Sequence, residues 1–304
     1  MFNYLENNWV KWYYDVPENQ IRNNNSQKFI VEHSLFRDTT CTLRDSAIAA
    51  CQSIRDTYPD HKFSIMLSGG SESEICLRAF QLAKVPFRVY IGRYENDINL
   101  YDVSYAVTLC ESIGIPYTII DFQLKKFLEK DAVQYGDYAQ IKESRLLPQL
   151  ALCDLVDGIP IMGGGEPSVN RLNADYTVKG TWLLEESETF WGWTKYFVRK
   201  NRIAIPEWCR WSSQLHQSWI NLPWFQKLIN DEYPGKLSIH STKLYGYQQQ
   251  FPELLPRVKK TGFESINYIF NELNKHLLLT QLNQCSYFYT VEGFFDQQIH
   301  SQLY

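Results

Sequence analysis

From residue 43 to residue 122 the apolar positions alternate between a helical spacing and short unbroken runs. Leu43, Ala47, Ile48, Ala50, Cys51 and Ile54 recur at the intervals of an amphipathic helix over 43–58. The next apolar run, 63–67, is too short for a helix and reads as a buried strand. Ile75, Leu77, Phe80 and Leu82 restore the helical pattern over 73–83, and Pro86 follows as its stop. Residues 87–92 read as a second strand, 100–113 as a helix introduced by the polar stretch 96–99 and stopped by Gly114, and 115–120 as a third strand. A strand, helix, strand unit predicts parallel strands with a right-handed crossover. The fold class expected is therefore α/β, a Rossmann-like parallel sheet with helices on both faces.

The flanks read differently. Within 1–40, two aromatic and β-branched runs, 9–14 and 28–36, are separated by the mostly polar stretch 19–26, which predicts a β-ribbon. After helical segments around 123–131 and 138–154, an apolar run over 159–162 ends in Gly163, Gly164, Gly165 and Glu166, a further strand closing in a glycine turn. Residues 175–186 read as a hairpin turning at Lys179-Gly180. Beyond it the pattern is helical and aromatic, with Phe190, Trp191, Trp193, Tyr196, Phe197, Trp208, Trp211, Trp219 and Trp224. Such a stripe is usually core, and a substrate pocket is the alternative. The expected division is an N-terminal β-ribbon over 1–40, an α/β domain over 41–187 and a helical, aromatic-rich part over 188–304.

Composition narrows the function classes. The 304 residues are 44% hydrophobic, ample for a buried core. A net charge of −4 and a pI near 5.9 argue against a broad nucleic-acid-binding surface, and the pairs Arg199-Lys200 and Lys259-Lys260 read as solvated surface. No basic region followed by an apolar core opens the chain, and no stretch is long and apolar enough to span a bilayer, so a soluble, cytoplasmic protein is expected. Cysteines at 41, 51, 76, 110, 153, 209 and 285 form no C-x-x-C pair, which fits free thiols rather than disulfides or a zinc site. The six histidines show no metal-binding spacing.

The chemistry concentrates in Ser68-Gly69-Gly70-Ser71-Glu72-Ser73, between the first strand and its helix. Adjacent glycines let backbone approach an anion closely, N–H groups point into the turn, and the helix adds the positive end of its dipole. The G-x-x-x-x-G-K-[ST] spacing of a Walker loop is absent. The six residues resemble the S-G-G-x-D-S pyrophosphate loop of the PP-loop ATP pyrophosphatases, the family of asparagine, GMP and NAD synthetases and several tRNA-modifying enzymes. The family's aspartate is Glu72 here, one methylene longer.

The resemblance implies ATP as substrate, its pyrophosphate on Ser68, Gly69, Gly70, Ser71 and Ser73, with Mg2+ held by Glu72. It places Ile91 and Gly92 at the adenine, as the position beyond the carboxyl ends of parallel strands also suggests. Residues 90–121 and the loop Gly163, Gly164, Gly165 and Glu166 resemble asparagine synthetase-like domains, in which such a loop closes the far side of the ATP site; a tight turn without that role is the alternative. In those enzymes a lysine from the helical half reaches the phosphates. Lys243 is the nominee, with Lys259 and Arg145 as alternatives. The implied activity is adenylation of a small-molecule substrate oxygen with release of pyrophosphate, followed by attack of a nitrogen nucleophile. Residues 1–40 are too short for a glutaminase domain and Phe2 stands where its cysteine nucleophile would, so ammonia or an amine would come from a separate donor. The alternatives are adenylation of a tRNA base or nucleotide precursor, and a non-catalytic ATP sensor or partner protein.

Overall fold

The computed structural model describes residues 10–15, 28–33, 41–139, 141, 143–169, 181–184, 188–229, 244, 246–255, 257, 262–280, 287–290 and 299–301. The expected ribbon is present as β1 (Val10–Asp15) and β2 (Lys28–His33), paired antiparallel with Val10 opposite His33. At the centre lies a parallel sheet of β3 (Phe63–Met66), β4 (Arg88–Tyr94), β5 (Tyr117–Phe122) and β6 (Ile159–Met162), in the order β5-β4-β3-β6. Ile65 of β3 lies between Val89 of β4 and Ile161 of β6. All four residues of β6 are buried, as are Phe63, Ser64 and Ile65 of β3, which is why these strands read as unbroken apolar runs rather than as alternation.

The helix α1 (Leu43–Thr57) starts at Thr42, whose hydroxyl accepts the Asp45 N–H at 3.1 Å. It buries Leu43, Ala47, Ala50, Cys51 and Ile54 and packs on α2 (Ser71–Leu82), the crossover between β3 and β4. Its successors are α3 (Leu100–Ser112), α4 (Leu124–Lys130), α5 (Ala132–Ala139) and α6 (Leu147–Asp154). Glu95, just past β4, caps α4 by accepting N–H bonds from Leu124 at 2.5 Å and Lys125 at 2.7 Å. The segment expected as helix over 138–154 is broken: α5 ends at Ala139, a 3-10 turn covers Ser144–Leu146, and α6 begins afresh. Pro148 explains the restart, because its ring fits the first turn of a helix and would disrupt an interior.

Two short strands follow, β7 (Ser168–Val169) and β8 (Thr181–Leu184), then α7 (Glu188–Arg199), a 3-10 turn over Trp208–Arg210, α8 (Ser213–Ile220), α9 (Pro223–Ile229) and α10 (Asn267–Thr280). Of the aromatic stripe, Tyr196, Phe197, Trp208 and Trp219 are almost wholly buried in the core, and Tyr247 stands edge-on to Trp219 at 4.6 Å between ring centres. The C-terminal part also contributes β9 (Tyr287–Thr290) and β10 (Ile299–Ser301), which a helical reading lacked. β8 pairs with β7 and β9, and β10 adds to β2. Of the expected hairpin over 175–186, only 181–184 is described, as β8; the turn and the rest lie outside the described residues. None of the described cysteines is in a disulfide, Cys41 being exposed and the rest buried; Cys285 lies outside them. Among the described residues no helix is long and apolar enough to cross a membrane.

Candidate functional site

β3 and β6 are hydrogen-bonded neighbours, and both run out into glycines at the same edge of the sheet. After β3 the Leu67 N–H still bonds the Tyr90 carbonyl at 2.9 Å, and the chain then turns. Gly69 takes the left-handed conformation with φ +83°, and a Cβ there would stand 2.2 Å from the Asp102 carbonyl oxygen. Gly70 is extended and forms the N-cap of α2 without any side-chain cap. The helix therefore starts at Ser71, two residues before the apolar periodicity becomes visible, because its first turn is polar. Ser73 Oγ donates to the Gly70 carbonyl at 2.9 Å and lies 3.1 Å from Ser68 Oγ, which accepts the Gly70 N–H at 3.3 Å. The first amides of α2 have no intrahelical acceptor and stand at the positive end of its dipole, the makings of an anion seat.

A cavity of about 290 Å³ opens beyond the carboxyl ends of the strands. Ser68, Glu72 and Ser73 line it from the loop and first turn of α2, Ile91 and Gly92 from β4, and Gly163, Gly164 and Glu166 from the segment after β6. Tyr90, Tyr94, Val103, Leu152, Met162, Trp193 and Phe263 make its apolar walls, with Asn99, Asp102 and Gln149 as further polar groups. The second glycine segment is seated tightly: a Cβ on Gly163 would come within 2.6 Å of Ser73 Cα, so the end of β6 lies directly on the first turn of α2. The Trp208–Arg210 turn holds it from behind, Cys209 donating its N–H to the Gly164 carbonyl at 3.1 Å and its thiol to that of Gly163 at 3.3 Å.

Eight of the expected residues thus share one cavity: Ser68, Glu72, Ser73, Ile91, Gly92, Gly163, Gly164 and Glu166. Gly69, Gly70 and Ser71 frame the loop without lining the cavity, and Gly165 turns away, left-handed at φ +94°, with Glu207 Cβ 2.6 Å from where its own Cβ would be. Lys243 and Lys259 lie outside the described residues. Arg145 does not line the cavity. It bonds Asn267 at 3.1 Å, lies 3.6 Å from Glu143, and packs over the Phe270 ring.

Three contributors escaped the sequence reading. Asn99 fixes the end of β4, donating to the Gly92 carbonyl and accepting the Tyr94 N–H, both at 2.8 Å; only its polar character before a helix hinted at it. Tyr247 is fully buried, and burial pushes its phenol well above the ordinary range, with the Glu166 and Glu72 carboxylates adding to the effect. Arg257 reaches the loop from the C-terminal half, donating to the Gly69 carbonyl and to Glu74. Burial holds its pKa below the usual guanidinium value, and Glu72 opposes that shift.

Among the described residues, no group of three or more His, Cys, Asp or Glu side chains is placed to hold a metal ion. The cavity is lined by three acidic residues, Glu72, Asp102 and Glu166, of which Glu72 and Glu166 come from the two glycine segments. That donor set suits a hard cation such as Mg2+, which is usually bound by one or two carboxylates and completes its shell with phosphate oxygens and water.

No family model matches the chain, and no curated protein does. Among solved structures, the chain is similar to an NH3-dependent NAD synthetase from Campylobacter jejuni subsp. jejuni, determined in complex with the nitrate ion. The two share 14% identity over 80% of this chain and 96% of that one, with a TM-score of 0.35. A likeness of this size carries nothing about the site.

Proposed function

We propose that the cavity binds ATP and that the protein is an adenylating enzyme of the PP-loop ATP pyrophosphatase type, with residues 41–187 as its nucleotide-binding part. The observation that carries this reading is the convergence of a Ser-Gly-Gly-Ser-Glu-Ser loop, the carboxyl end of β4 and the acidic glycine segment after β6 on one cavity. The loop's serine hydroxyls and the first amides of α2 seat the β- and γ-phosphates. Ile91 and Gly92, held in place by Asn99, face the base. Glu72 is the residue that would hold Mg2+, with Glu166 as the alternative, and bound Mg2+ would supply neutralisation of phosphate charge.

In the reaction a substrate oxygen bonds to the α-phosphorus, the bond to the bridging oxygen breaks, and pyrophosphate leaves carrying the electron pair. A nitrogen nucleophile then displaces AMP from the activated substrate. The chain's own part is positioning and stabilisation of the charge that develops on the leaving group. The finer reading is asparagine synthetase-like, with a small-molecule substrate, a separate ammonia or amine donor, and Lys243 as the lysine at the phosphates.

Glu72 in place of aspartate favours a second reading, an ATP-binding protein without turnover, in which Glu72→Asp would gain pyrophosphate release. The test of the site itself is Gly70→Val. At φ −76° the substitution is unstrained, and a Cβ there meets only Ser68 Oγ and Glu72 Oε2 at 3.4 Å, two cavity-lining groups. Calorimetric titration with ATP and Mg2+ should show binding in the parent and none in the folded variant. Unchanged affinity in Gly70→Val would place the nucleotide elsewhere.

A further inference from the structure

The Ser68–Ser73 loop is gripped from the far half of the chain by one guanidinium. One terminal nitrogen of Arg257 donates to the Gly69 carbonyl and the other to Glu74 Oε2, 188 and 183 residues away in sequence. Glu74 lies on α2 with its side chain wholly buried, and its other oxygen accepts from Arg78 Nε at 2.7 Å. The guanidinium of Arg257 lies over the Tyr105 ring of α3 at 5.5 Å, and its side chain is 12% exposed. Loop, α2 and α3 therefore all meet at this side chain.

We propose that Arg257 is the positioning residue of the phosphate loop, setting the orientation of the Gly69–Gly70 peptide so that its N–H faces the cavity side. This rests on reading the cavity as a phosphate site. A trans peptide is planar, and its carbonyl and N–H point in opposite directions. Holding the Gly69 oxygen on Arg257 therefore directs the Gly70 N–H away from Arg257, where it meets Ser68 Oγ, a cavity-lining hydroxyl, at 3.3 Å. The Asp102 backbone packs against Gly69 from its other side, so the peptide has one seat. Arginine is required because its planar fork satisfies two acceptors at once, whereas a lysine ammonium reaches one or the other.

The test compares the parent with Arg257→Lys and Arg257→Met, without nucleotide, by amide hydrogen exchange, and then titrates each with inorganic pyrophosphate and Mg2+. Exchange at the Gly70 amide, bonded to Ser68 Oγ, and at the Glu74 amide, bonded to the Gly70 carbonyl, should rise about tenfold or more in both variants, the consequence of losing one hydrogen bond to a charged donor, while β3 and β6 keep the parent's protection. Pyrophosphate affinity should fall by a similar factor or more in Arg257→Met and less in Arg257→Lys. Loop exchange equal to the parent's in a folded variant, or a uniform rise across the whole sheet, would overturn the proposal. If Arg257→Met does not fold, Arg257→Lys decides by the same readings. A parent that binds no pyrophosphate refutes the phosphate reading of the cavity, while loop exchange still decides whether Arg257 sets the peptide.

Discussion

The glycine segments that follow β3 and β6 lie side by side, end at the same cavity and do different things. After β3, Gly69 needs its missing side chain for a left-handed turn against Asp102, and the chain passes directly into α2, whose first amides have no intrahelical acceptor. After β6, Gly163 needs it because Ser73 occupies the space, a Cβ on Gly164 would meet nothing within 4 Å, and no helix follows directly. In the proposed reading the first segment carries the donors for an anion. The second contributes close approach and a carboxylate, Glu166. The difference between the segments lies not in glycine content but in the helix N-terminus that follows the first, which favours an anion.

The largest effect expected is at Gly69. Gly69→Val combines left-handed strain with overlap on the Asp102 backbone, and should cost about 4 kcal/mol or more or prevent folding, read by urea unfolding. Gly163→Val overlaps the Ser73 backbone without φ strain and should cost about 3 kcal/mol in the same assay. Equal, small losses at both would erase the distinction between the segments. Glu72→Gln keeps the volume and removes a charge, so turnover should fall about 100-fold or more with the fold retained, measured as pyrophosphate release. Turnover at the parent's rate would move the metal-holding role to Glu166, on the other segment.

A control away from both segments is Lys195 of α7. Burial, with Arg199 adding, depresses its pKa from 10.5 to about 7. Between those values the unfolded chain holds a proton that the folded one does not, so this group makes stability rise with pH across that window. Lys195→Met should remove that rise in pH-dependent unfolding while leaving the contrast between the glycine segments intact. The smallest effect is expected for Gly164→Ala, within about 0.5 kcal/mol, since nothing stands near its Cβ.

What sequence could disclose followed local period and local chemistry. The parallel sheet was legible because β3, β4, β5 and β6 are short apolar runs separated by helical spacing, and the loop because its residues are contiguous. The start of α2 at Ser71 was not, since a polar first turn carries no apolar period. Arg257 carried no signal of its role, because nothing local marks which side chain will meet a carbonyl 188 residues away. The pairing of β8 with β9 and of β10 with β2 was hidden for the same reason: a short strand announces its conformation and not its partner.

The central claim, that this cavity holds ATP for cleavage between the α- and β-phosphates, is tested most directly by phosphorus NMR of the protein incubated with ATP, Mg2+ and a panel of carboxylate and amine metabolites. The account predicts the resonances of AMP and pyrophosphate. ADP with orthophosphate would contradict it.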